Sequence, residues 1–88
     1  MLIIEKIIEE NNMNPISEEW LQLKAITKVI AKEWAIPINE EADDVIVIRG
    51  SQGQFEAYHK IGEDMVSRRL YYTEEVEKMY TTLTGKNL

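Results

Sequence analysis

With 88 residues, the chain has room for one compact domain spanning 1–88 and not for two. Its 44% hydrophobic and 30% charged content excludes a disordered chain, and the absence of cysteine excludes disulfides, thiolate nucleophiles and Cys-ligated zinc. Ten Lys and Arg against sixteen Asp and Glu leave a net charge of −6, which argues against the basic footprint of a nucleic-acid binder.

The first element is "MLIIEKIIEENN", where Ile3, Ile4, Ile7 and Ile8 recur at helical spacing. Glu5 and Lys6 interrupt the apolar run within one turn. Neither a signal peptide nor a membrane span of about 20 apolar residues fits, so the reading is a cytosolic protein with no membrane role. "EENNMNP" then breaks the pattern with asparagines and Pro15.

Ser17 opens the second element as an N-cap followed by two acids. Ile16 and Leu21 hold the two positions of a hydrophobic staple. Trp20, Leu23, Ile26, Thr27, Ile30 and Trp34 share one face at helical spacing, so a helix is expected to about Trp34 or Ala35, ending before Pro37. At 1.5 Å per residue the first helix spans about 16 Å and the second about 28 Å. As a hairpin, the shorter leaves the end with Ile30 and Trp34 bare.

"VIVIR" (45–49) and "QFEAYHKI" (54–61) are the two strand-like runs, joined by Gly50-Ser51-Gln52-Gly53. Phe55, Ala57, His59 and Ile61 form the more apolar alternate set and are expected to face the helices. Segment 63–72 reads two ways. As a strand, "MVSRRLYY" alternates poorly, with Arg68 between Val66 and Leu70. As a helix it continues into "TEEVEKMYTTLTG", with Asp64–Arg68 and Glu74–Lys78 as favourable i,i+4 pairs and Gly85 as the stop. The helix over about 63 to 84 is favoured. The fold expected is α+β in the order α-α-β-β-α: a helical hairpin, a two-stranded antiparallel ribbon and a long C-terminal helix.

Several residues invite a functional reading. The Gly50–Gly53 loop lacks the flanking helices of a KH-type loop and does not open into a helix as a phosphate-cradling loop does, so it is read as a hairpin turn. His59 is the only histidine, without metal-ligand spacing or a nucleophile elbow around it, and is read as a hydrogen-bonded, half-buried residue. Lys24, Lys28 and Lys32 form an i,i+4,i+8 stripe with no acid three or four residues away on the same helix. Glu5 and Glu9 of the first helix are expected to face it; the functional alternative is an acidic partner or phosphates. In the long-helix reading Arg69 falls on the stripe of Met65, Tyr72, Val76, Met79, Tyr80 and Leu83. There it needs an internal partner or an interface, and interface cores favour Arg, Tyr and Met.

These residues support a small non-catalytic cytosolic protein-binding protein, an adaptor or inhibitor of a larger protein, with no cofactor and no metal. Arg69, Tyr72, Met79, Tyr80, Trp34, Lys24, Lys28 and Lys32 are its candidate contact residues. Phage and mobile-element proteins often share such a design, which is analogy only. The bare helix end and the two-stranded ribbon further imply a homodimer. A nucleic-acid-binding regulator using Lys24, Lys28, Lys32 and Arg49 is the alternative. An acidic DNA mimic is the third reading, weakened because most acids have local roles: Glu18, Glu19, Glu63 and Asp64 in expected helix starts, and Asp43 and Asp44 guarding "VIVI".

Overall fold

The computed structural model describes residues 13–51 and 53–88. The expected first helix, with its isoleucines and the facing Glu5 and Glu9, lies outside the described residues. The elements are α1 (Glu18–Leu23), β1 (Thr27–Ile30), β2 (Glu33–Asn39), a 3-10 turn (Glu40–Ala42), β3 (Asp44–Ser51), β4 (Gln54–Ile61), β5 (Asp64–Met65) and α2 (Thr73–Thr84). The five strands form one antiparallel sheet in the order β1-β2-β3-β4-β5. The expected helical hairpin and two-stranded ribbon are therefore incorrect, and so is the α-α-β-β-α order.

The second helix starts as expected and stops early. Ser17 Oγ accepts the Trp20 N–H at 3.2 Å, and Ile16 and Leu21 are both buried. The helix ends at Leu23, after which Ala25 takes a left-handed φ of 54°. Beyond it, "ITKVI" is mostly β-branched; such side chains lose χ1 freedom in a helix and fit a pleated strand. Residues 27–39 form two strands around Ala31 and Lys32, with Thr27 opposite Ala35 and Lys28 opposite Trp34. Pro37 lies in β2 past the reach of β1, in the edge-like position that a strand proline requires.

The β3–β4 hairpin occupies the expected residues with a tighter turn. Gly50 pairs with Phe55 and Ser51 with Gln54, so the loop is two residues long, and Gly53 carries its positive φ of 82°. A Cβ on Gly50 would lie 3.0 Å from Phe55 Cε1, so the missing side chain lets the ring lie against the strand.

The long C-terminal helix is corrected to 73–84. Gly62, at a φ of 61°, turns β4 into the short β5. The chain then follows the β4 edge: the Val66 N–H donates to the His59 carbonyl, and Leu70 and Ala57 exchange bonds of 2.7 and 2.8 Å. Residues 14–16 pair outside 71–73, through Ile16 N–H to Tyr71 O and Thr73 N–H to Asn14 O. An Asp64–Arg68 helical pair contributes only about 0.2–0.5 kcal/mol. Burying Leu70 contributes about 1.5–3 kcal/mol, and the extended path also satisfies the backbone of β4. The extended path prevails. Gly85 ends α2 with a left-handed φ of 73°, as its position implies.

One sheet face carries the core. Trp34, Ile48, Ala57 and Leu70 run in a row across the register, beside Ile36, Ile46 and His59. Leu21, Ile16 and Val76 close over them, with Met79 and Tyr80 at the margin. Val47 points to the opposite face yet is only 6% exposed, which marks β3 as a central strand.

Candidate functional site

The candidate residues disperse. Trp34 is a core residue of β2, its ring 5.6 Å from that of Phe55 and tilted by 59°. Met79 and Tyr80 are half-buried against the core, while Tyr72 caps α2 without a side-chain bond and is exposed. Arg69 is not on a helical stripe. Its Nε lies 3.5 Å from Glu56 Oε1 on an open surface. The register places Glu33 opposite Arg49 and Arg49 opposite Glu56, so the charges alternate across that face as Glu33, Arg49, Glu56 and Arg69. Arg49 is thereby engaged with Glu33 at 3.7 Å and stands apart from the lysines. Arg68 pairs with Glu75 at 3.0 Å.

His59 is 8% exposed, on the core face of β4. Its Nε2 meets Asp44 Oδ1, bracing the start of β3 against β4. Ser67 stands beside it, but Ser67 Oγ accepts the backbone N–H of His59 at 2.8 Å and donates to Arg68 O at 2.9 Å. The hydroxyl therefore accepts the His59 N–H at the edge of β4, where a strand partner's carbonyl would otherwise do so, while the Val66 N–H serves the His59 carbonyl. Among the described residues no group of three or more His, Cys, Asp or Glu side chains could hold a metal ion.

Glu74 forms a second polar device. Its carboxylate accepts the Asn14 N–H at 2.7 Å, the Asn14 amide at 3.1 Å and the Thr73 hydroxyl at 2.7 Å. Burial pushes its pKa up, but the bonds from Asn14 and Thr73, with that of its own backbone N–H, outweigh burial and hold the carboxyl below its ordinary value. This clasp ties the 14–16 strand to the start of α2.

The remaining candidates gather at the other end of the sheet. β1 pairs only with β2, so its outer edge is open among the described elements, and all four of its residues are exposed. Leu23 is 79% exposed, Val29 58% and Ile30 61%, an apolar group around this edge of which Leu23 and Ile30 are expected from the sequence on one helix face. Lys24, Lys28 and Lys32 border it, from the end of α1, from β1 and from the β1–β2 turn. Lys24 Nζ donates to Leu88 O at 3.2 Å, and Lys28 Nζ lies 5.4 Å from the centre of the Trp34 ring. Among the described residues the four ion pairs involve arginine or histidine and never lysine. Lys32 has a left-handed φ of 61° at a turn position that ordinarily favours Gly or Asn.

An exposed strand edge beside apolar side chains normally carries features that block pairing, such as lysines, a bulge or short length. Here the register shifts between Lys28 and Ile30, and lysines stand at either end. The lysines repel a basic or identical strand and attract an acidic one. Comparison with protein-family models, with curated proteins and with solved structures finds no match for this chain. Among the described residues no helix is long and apolar enough to cross a membrane.

Proposed function

We propose that this chain is a small, non-catalytic cytosolic protein-binding protein, an adaptor or inhibitor, that receives an extended acidic segment of a larger protein along β1. One observation carries the reading: among the described elements β1 is an open edge whose four residues, Lys28 among them, are all exposed, flanked by Leu23, Lys24 and Lys32. Strand addition supplies affinity through main-chain hydrogen bonds and specificity through alternate side chains. The negative balance of the whole chain disfavours an acidic partner at long range. The lysines act within a Debye length of about 8 Å, where they set the local field.

A second copy is the less suitable occupant. Two β1 edges joined across a two-fold axis bring both sets of lysines onto one seam, where like charges directly opposite each other destabilise pairing. The fold also weakens the motive for a homodimer, because the sheet covers Trp34 and extends the ribbon to five strands. Phosphates of a nucleic acid are the other chemistry the lysines admit, now without Arg49.

Titration of isotope-labelled protein with acidic extended peptides tests the proposal. Amide shifts centred on 27–30, abolished by Lys28→Glu, are the expected result. Tighter binding of duplex DNA or RNA, weakening steeply with salt, would replace it with the regulator reading. Light scattering over a hundredfold dilution checks the second copy, and a constant monomer mass is expected.

A further inference from the structure

Resting on the reading of β1 as a partner-binding edge, we infer that the bound segment alternates acidic and apolar side chains, with one acid seated between Lys28 and Lys32. The register supplies the alternation. Lys28 is opposite Trp34, so its side chain stands on the face that carries the core, whereas Thr27 is opposite Ala35 on the other face. A strand added outside β1 puts one residue beside Lys28 and its neighbours on the opposite face, which carries Thr27 and, past the bulge at Val29, Ile30 opposite Glu33. The first residue meets an ammonium; its neighbours meet exposed apolar and β-branched surface.

The acid reaches its seat over β1, because the seat lies on the inner side of that strand, towards β2. Lys28 and Lys32 line a shallow depression of about 400 Å³, floored by Trp34, Gly50 and Phe55. Gly50 makes room for the Phe55 ring there, since a Cβ would lie 3.0 Å from it. Lys28 lies over the Trp34 ring. Lys32 reaches the rim from a left-handed backbone position that glycine would occupy more readily. Glu18 also lines the depression and opposes a second negative charge. One carboxylate between two lysines satisfies this arrangement, whereas a run of acids or closely spaced phosphates meets Glu18. Alternation serves both faces at once.

The test uses three synthetic peptides against the full chain: an alternating Glu–Val octapeptide, its block isomer with all Glu before all Val, and an oligoglutamate of equal length. The alternating peptide is expected to bind at least about tenfold more tightly than either control, a difference of about 1.4 kcal/mol. Lys28→Gln and Lys32→Gly are each expected to weaken it severalfold while the protein retains its melting temperature or gains. Replacing alternate amide N–H groups of that peptide by N-methyl groups should abolish binding from one register and spare it from the other. Equal binding of the block isomer or of oligoglutamate overturns the alternation and leaves a simply acidic partner. Failure of all three peptides overturns both the alternation and the β1 edge as a protein-binding site.

Discussion

Replacing Lys32 by glycine should strengthen the fold while weakening binding, a combination that a purely structural residue does not produce. Lys32 holds a φ of 61°, and an L-residue in the left-handed region costs roughly 1–2 kcal/mol that glycine avoids. Glycine returns about 0.5–1 kcal/mol of this through the larger entropy of its unfolded chain. The backbone bond from Gly50 N–H to Lys32 O, at 2.8 Å, survives the change, and no ion pair of Lys32 is lost among the described residues. The net expectation is a gain of about 0.5–1 kcal/mol, which for a domain of this size raises Tm by about 2–8 °C. Thermal unfolding by circular dichroism reads the first half, and peptide titration the second. Lys32→Ala is the control: it removes the charge without relieving the backbone, so it should lower affinity and leave Tm nearly unchanged. A lower Tm for Lys32→Gly would refute the left-handed turn. Unchanged affinity in both variants would remove Lys32 from the site.

Three further outcomes follow from the rest of the structure. Because the folded-state pKa of Glu74 lies below its ordinary value, its clasp is fully effective above about pH 4.3 and is lost as pH falls through the lowered value; Glu74→Gln should reduce stability at neutral pH and flatten the acid limb of urea unfolding measured against pH. Arg69→Ala and Arg68→Ala should each cost about 0–1 kcal/mol, since both pairs are exposed; chemical unfolding that finds about 3–5 kcal/mol for Arg69 alone would return it to a buried pair. Gly50→Ala should displace the Phe55 ring, alter its packing on Trp34 and lower peptide affinity together, with near-ultraviolet circular dichroism reporting the ring movement.

Parts of the candidate site were legible at the level of residue type. The lysines were singled out for their lack of local acids, and they do border one edge. Their setting was misassigned, because i,i+4,i+8 spacing implies one helix face whereas the structure brings them from a helix end, a strand and a turn. Helical phase puts Leu23 on a core face and leaves Val29 unremarked, and it exposes Ile30 at a bare helix end rather than on a strand edge. The β-branched density of "ITKVI" was the available signal for a strand. Arg69 was misplaced by the same phase error in 63–72. Its partner Glu56 lies on β4, and that pairing depends on the path the chain takes after β5.

Local chemistry alone determined the Ser17 cap, the positions of Ile16 and Leu21, the β3–β4 hairpin and the Gly85 stop, since each depends on neighbours within a few residues. It also contained a warning about the rest. "VIVI" is apolar without alternation, the mark of a strand buried on both faces, and such a strand requires more sheet than a two-stranded ribbon offers. Tertiary structure alone decided which segments supplied it. Residues 27–34 carry a pattern that helix and strand both satisfy locally, and 64–70 carry one that favours a helix. The first became β1 and the start of β2, and the second β5 with an extended segment after it, because β3 and β4 had backbone groups to satisfy and apolar faces to extend, and long-range pairing outweighed helical spacing worth tenths of a kilocalorie.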